Sequence, residues 1–327
     1  MTIRNVLITG ATGFVGSHVV EALAGRIDQL RALVRPTSDT ARLRALGIAL
    51  ETATFENGPA LRRAVQGAEV IVHLAALTHA GTSAELDRVN VDGTRALRDA
   101  ALEAEPRPRR IVYMSSLAAV GPSDGRPVGR AHEPRPLTAY GRSKLAGERV
   151  LLEAADRLEV VILRAPAVYG PRDAEMLRFF RMAGRGVLPV PGGPDRPLQL
   201  VHVEDLARAV VAAVLAPAAE GVYHVADAEA LSWADVCRLL GRASGRRVRL
   251  LRVPPAAIGA AAAVSEAGAR LLGGSSIFNR DKARELLASG WLCDTEDARR
   301  ELGFETRIPL ADGLRQTWEW YRNEGWL

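Results

Sequence analysis

The chain of 327 residues has only two lysines, Lys144 and Lys282, against 41 arginines, and only two cysteines, Cys237 and Cys293. Two cysteines build neither a multi-bridge secreted scaffold nor, by themselves, a metal site, and they suit a reducing cytoplasm. The first residues lack the basic start, apolar core and small-residue cleavage site of a signal peptide. The most apolar later stretch, PPAAIGAAAAVSEAGARLLG from Pro254, is mostly alanine and is interrupted by Glu266 and Arg270. A membrane span needs about 20 strongly apolar residues, so this stretch reads as a packed or lid-like helix. The net charge is +5 and the pI about 9.7. The arginines are scattered beside Asp and Glu with no aromatic interleaving, which describes a solvated surface rather than a nucleic-acid face. There is no internal repeat and no low-complexity tail. The expectation is a cytoplasmic protein with no metal, no membrane partner and no nucleic-acid partner.

What is present is alternation. Short apolar runs at Asn5–Thr9, Leu30–Val34, Ile48–Ala53, Val70–Ala75, Ile111–Ser115 and Val160–Arg164 read as strands. Helical patterns lie between them, near Val15–Ala24, Thr40–Leu46, Gly58–Val65, Leu86–Ala104 and Ala139–Ala155. Nearly continuous Val/Ile/Leu strands separated by helices imply a parallel sheet buried on both faces, a doubly wound α/β architecture. Ligands of such sheets sit beyond the carboxyl ends of the strands. After Arg164 the texture changes to Pro/Gly-rich turns and short helices. The division expected is a dinucleotide-binding domain over 1–165, with 198–216 returning to it. A smaller, partly interleaved α/β substrate domain would be built from 166–197 and 217–327.

The first strand runs into TGATGFVG, with Gly10, Gly13 and Gly16 opening the first helix. Gly10 suits the tight turn, Gly13 lets backbone approach a pyrophosphate, and Gly16 lets helix and strand pack closely. Thr12, Phe14 and Val15 lie in the same turn, where free helix N–H groups and the positive dipole end favour phosphate. At the end of the second strand Val34 and Arg35 stand where an NAD site often has Asp or Glu. Arg35 and Arg42, with Ser38, suit a 2′-phosphate, which favours NADP(H) and leaves NAD(H) open. Thr54 and the backbone of Phe55 are the available adenine contacts. Leu74, Ala75 and Ala76 leave room for a cofactor, and Asn90 either ties strand to helix or packs.

Tyr140 and Lys144 lie four apart in YGRSK, on one helix face. By chance such a pair is expected about 0.03 times in this composition. An ammonium beside a phenol favours the phenolate, lowering a pKa that is otherwise about 10. Ser115 and Ser116 at the fifth strand end offer a hydroxyl for a substrate oxygen. The set suits proton transfer by the tyrosine coupled to hydride transfer by a nicotinamide.

Together TGATGFVG, HLAAL, NVDGT, SSLAAVG, YGRSK, LRAPAVYGP, VHVEDLA and the C-terminal ELGFETRIPLADGLRQTWEWYRNEGWL resemble the extended short-chain dehydrogenases/reductases, in the NAD(P)-dependent epimerase/dehydratase group. The resemblance covers nearly the whole chain. It implies a Rossmann-type domain, a Ser116–Tyr140–Lys144 catalytic set, Lys144 on the nicotinamide ribose, Pro166–Val168 near the nicotinamide, and a homodimer formed by the two long helices.

Departures from that family narrow the reaction. Leu117 and Ala118 replace the Asp-Glu pair of its sugar dehydratases, and Leu117 fails the glutamate of its decarboxylases. Arg196 falls two residues early, and Leu198 takes the place where nucleotide-sugar enzymes hold a diphosphate. VRPTSD resembles the dihydroflavonol-reductase and hydroxysteroid-dehydrogenase-like branch. A carbonyl reductase or alcohol dehydrogenase is therefore favoured over a 4-epimerase with tightly bound NAD, and over a non-catalytic NADP sensor. His79, Ser116, Tyr169, Phe179, Phe180 and Arg196 are the possible contacts to a small-molecule substrate.

Overall fold

A computed structural model of the chain describes residues 3–271, 276 and 278–327. The first half alternates β1 (Asn5–Thr9), α1 (Phe14–Leu23), β2 (Gln29–Val34), α2 (Ala41–Ala45), β3 (Ala49–Thr52), α3 (Gly58–Val65), β4 (Val70–His73), α4 (Ser83–Asp87), α5 (Gly93–Glu103), β5 (Arg110–Ser116), α6 (Ala139–Leu152) and β6 (Glu159–Ala165). All six expected strands are present, displaced by a residue or two. The expected helix over Leu86–Ala104 is divided: α4 passes into α5 through a π-helical turn, Arg88–Asp92.

The second half adds β7 (Ala167–Tyr169), α7 (Leu177–Gly184), β8 (Val187–Pro191), β9 (Pro197–Leu198), β10 (Leu200–His202), α8 (Val203–Leu215), β11 (Gly221–His224), β12 (Leu231–Ser232), α9 (Trp233–Ala243) and β13 (Arg249–Val253). It ends with α10 (Pro255–Leu271), α11 (Arg280–Leu287), α12 (Glu296–Leu302) and α13 (Leu310–Asn323). The alanine-rich stretch from Pro254 forms α10 as expected of a helix, and its last two residues lie outside those described. No helix among the described residues is long and apolar enough to cross a membrane.

Seven parallel strands form the central sheet in the order β11-β6-β5-β4-β1-β2-β3. Alternation along each strand sends Val6 and Ile8 to one face and Leu7 to the other. Since helices cover both faces, both sets are apolar, and each fully buried Val, Leu or Ile contributes about 1.5–3 kcal/mol. On one face Val19 and Leu23 of α1 and Val210 and Val214 of α8 pack on Ile8, Val72 and Leu163. On the other, Leu61, Leu97 and Leu151 pack on Leu7, Ile71 and Ile162.

Within 198–216, α8 packs on the large sheet through Leu206, Val210 and Val214. The seventh strand, β11, corrects the expected division, because it comes from within 217–327. Ala298, Leu302 and Phe304, at and just after α12, also join the core of the large sheet. The smaller unit has its own core around Phe180, Leu188, Leu240, Leu314 and Tyr321, with β8 and β13 paired in parallel. After β1 the chain runs to one side of the sheet as β2 and β3, then crosses over to β4 and continues the other way. The crevice beyond the carboxyl ends of β1 and β4 is the switch point of the fold.

Candidate active site

Gly10 closes β1 with a φ of +75°. A Cβ there would lie 2.6 Å from the Ala75 nitrogen, so Gly10 is required by both conformation and the close pass of the Leu74–Ala75 backbone. A Cβ on Gly16 would run into the Gly10 carbonyl oxygen. Gly13 differs: its nearest protein atom would be Gly10 O at 3.2 Å, and it borders the cleft. Gly13 is the N-cap of α1 and supplies no side-chain cap. The first helical amides therefore face the cleft without an intrahelical acceptor, as a phosphate-binding helix start requires.

The cleft has a volume of about 1020 Å³ and runs from this loop to the smaller unit. Its wall includes the predicted Gly10, Gly13, Phe14, Val15, Gly16, Leu74, Ala76, His79, Ser116, Tyr140, Lys144, Pro166, Val168, Phe179 and Arg196. The ends of β1, β4, β5 and β6, with α1, α6, α7 and the segments between them, thus bring together residues spread over nearly 190 positions of sequence.

Thr138 caps α6, accepting from Gly141 N at 3.0 Å, and so sets Tyr140 in the first turn. Asp281 of α11 accepts from Ala139 N at 2.7 Å, fastening the second half over this turn. Ser116 Oγ accepts from Ala118 N at 3.1 Å at the end of β5. Burial pushes the Tyr140 phenol up, the Ser116 hydroxyl opposes this, and Glu285 and Glu175 add to the rise. The expected lowering by Lys144 is therefore corrected. The Lys144 Nζ turns inward, 4.0 Å above the Tyr113 ring. Burial pushes its ammonium down to about 7, with Glu148 pulling it back up. Burial thus keeps the Tyr140 phenol protonated at neutral pH.

Asn90, in the π-turn, is buried and fully engaged. It accepts from Leu77 N at 2.8 Å and donates to Leu77 O and Ser143 Oγ, both at 2.9 Å. Of the two roles open to it, tying the strand-end loop to the helices is the one its bonds describe.

Several predicted positions lie elsewhere. Thr12 and Arg35 are exposed, and the Arg35 guanidinium has no ion pair among the described residues. Ser38 Oγ accepts from Arg35 N at 3.2 Å. Arg42 does not stand free for a phosphate: its Nε donates to Glu21 at 2.6 Å, and Arg172 grips the same carboxylate with two bonds of 2.9 Å. Thr54 is half-buried, and the Phe55 ring packs edge-on to His73 at 5.6 Å. Ala75 backs Gly10 rather than lining the cleft, its amide donating to Thr9 Oγ1 at 3.3 Å.

Two substrate assignments are corrected in the same way. Tyr169 is buried in the smaller core against His202, at 5.2 Å between rings. Phe180 is buried in that core against Tyr321. The Arg196 guanidinium lines the cleft but is spent on backbone, donating to Ala288 O at 2.8 Å and to Pro191 O. Phe179 stays in the wall, edge-on to Trp233. His79 is an exposed rim residue, its Nδ1 3.0 Å from Thr78 Oγ1. Burial pushes both cysteine thiols up to about 12, so neither is a nucleophile at neutral pH.

The pattern of motifs missed Glu148, buried and bonded to Arg164, and Asp281, 141 positions beyond Tyr140. Only Glu148 had a signal, its place four residues after Lys144.

The uncapped α1 start, the open Gly13 and the wall of small residues at Ala76 and Ala165 fit a nicotinamide dinucleotide. Comparison with known proteins agrees. The profile of the NAD dependent epimerase/dehydratase family matches residues 6–226. A ceramide reductase of Caulobacter vibrioides is 38% identical, over 98% of this chain and 96% of its own. A ketoreductase of Stigmatella aurantiaca, named for a farnesyl-bearing dihydroquinoline oxide, is 31% identical over 94% of this chain and 93% of its own. The solved structure of MoeE5 with UDP-glucuronic acid and NAD has 27% identity and a TM-score of 0.76, covering 98% of this chain and 99% of that one.

Proposed function

Because the chain belongs to the NAD-dependent epimerase/dehydratase family, we propose that it is a carbonyl reductase or alcohol dehydrogenase working on a secondary alcohol/ketone carbon. The observation that carries this reading is the wall beside Ser116 and Tyr140. Leu117 and Ala118 follow Ser116 there and carry no proton-transferring group, so loss of water has no second acid or base at that position. Arg196 is tied to backbone carbonyls, and Leu198 stands in the wall, which removes the arginine expected of a diphosphate holder.

A nicotinamide held beside Pro166 and Val168 would supply the hydride. Ser116 Oγ orients the carbonyl oxygen by hydrogen bonding. Tyr140, held protonated by burial, donates its proton to that oxygen as charge develops on it. Lys144 supplies a buried amine beneath Tyr140, suited to a ribose hydroxyl. The wall farther out, with Met176, Phe179, Trp233 and Trp291, suits a substrate with a bulky apolar arm. The ceramide reductase and the farnesyl ketoreductase are both named for such molecules. Arg35 is the basic group available for a 2′-phosphate, which supports NADP(H).

The test is the nucleotide released when the purified protein is denatured. Empty protein that binds NADPH more tightly than NADH, and turns over ketones with apolar chains, is expected. About one NAD per chain, retained through purification, would instead indicate a self-regenerating epimerase.

A further inference from the structure

We propose that Glu148 is the positioning residue of this site, holding Lys144 as a cation and locking together the ends of β5, β6 and α6 that carry the working groups. It deepens the assignment of Tyr140 and Lys144 and rests on it. Tyr140, Lys144 and Glu148 succeed one another at four-residue steps along one buried face of α6. The Glu148 carboxylate is buried, and so are Arg164 and Lys144, the latter one helical turn back along α6. Arg164 of β6 grips it in a fork, Nε to one oxygen at 3.0 Å and Nη2 to the other at 2.6 Å. Ser115, the neighbour of Ser116 on β5, donates to the same carboxylate. One carboxylate is therefore shared by three elements.

A buried ammonium needs a counter-charge to remain charged. Among the described residues around Lys144, Glu148 is the one anion that supplies it. Tyr113 of β5 offers a ring face and a phenol that burial keeps neutral. His73 of β4 is held neutral by burial and bonded between Thr9 and Thr94. Tyr140 is protonated, and Arg164 is a second cation. The chain has a further convenience: with two lysines in all, Lys282→Arg leaves Lys144 as the only lysine.

The experiment labels lysine Nζ with nitrogen-15 in that background and follows the single resonance with pH. Glu148→Gln is expected to lower its midpoint by roughly one pH unit or more. Glu148→Asp is expected to restore most of the shift, and Arg164→Met to move the midpoint upward. The alkaline limb of kcat/KM is expected to move with it. A resonance that stays put in folded Glu148→Gln, or moves the same way in both Glu148→Gln and Arg164→Met, overturns the proposal. If Glu148→Gln does not fold, the double variant with Arg164→Met, which strands no charge, is compared with its parent, and a downward shift is still required. Tyr140→Phe separates the two levels. If it retains turnover, the catalytic assignment fails. If it is inactive while the Lys144 midpoint ignores Glu148, only the present inference fails.

Discussion

Replacing Asn90 with alanine removes three hydrogen bonds at once and is the sharpest structural test of the cleft wall. The variant strands the amide and carbonyl of Leu77 and one bond of Ser143 Oγ. Ser143 keeps its bond to Tyr140 O at 2.8 Å, and half-buried Leu77 is partly rehydrated, so the full penalty falls on neither. At about 1–3 kcal/mol per stranded buried group, the expected loss is about 2–4 kcal/mol. With an unfolding entropy of about 2.1 cal/mol/K per residue, that lowers Tm by roughly 3–6 °C. Calorimetry of N90A, S143A and the double variant measures it. S143A is expected to cost about 1 kcal/mol, and the double less than the two together, because they share a bond. Nucleotide affinity is expected to fall with N90A, since the Leu74–His79 wall is anchored through Leu77. If N90A melts within about a degree of the parent, or the two substitutions add fully, Asn90 does not tie these elements and this account of the loop is wrong.

Tyr140→Phe is expected to lower kcat by about 10²–10⁴ with nucleotide affinity unchanged, the usual weight of a positioned proton donor; steady-state kinetics beside a binding titration decide it. Arg35→Ala is expected to weaken NADPH at least tenfold while leaving NADH nearly alone, whereas Arg42→Ala, its partner Glu21 still held by Arg172, is expected to do so much less; equal effects on both nucleotides would remove Arg35 from the 2′-phosphate reading. Stability is expected to fall as pH drops below about 6.5. Burial lowers His73 to about 3 and His18, His202 and His224 to about 4, so between those values and about 6.5 the unfolded chain binds protons that the native one refuses. Thermal melts that are flat from pH 7 to about 4.5 would contradict it.

The parts legible in the sequence are those whose cause is local. Alternating apolar strands, the glycine turn and the Tyr140–Lys144 spacing each need only a few neighbouring residues, so period and spacing announce them. Gly10 could be named from its turn. That its hydrogen also makes room for Ala75 required the fold.

The site's electrostatics were not local. Arg42 looked free until α1 brought Glu21 to it, and Arg196 looked available until two backbone carbonyls claimed it. Tyr169 and Phe180 faced a core rather than a substrate because the second half closes on α13. Tyr140 and Lys144 share a helix face, as their spacing required. Yet Lys144 turns to Tyr113, and burial governs both pKa values, because the desolvation of a charge is set by everything packed around it. Sequence alone therefore determined the architecture and named the candidate reacting groups. Only the tertiary structure decided their charge states, since a counter-ion such as Glu148 with Arg164 is supplied by whichever elements meet in space.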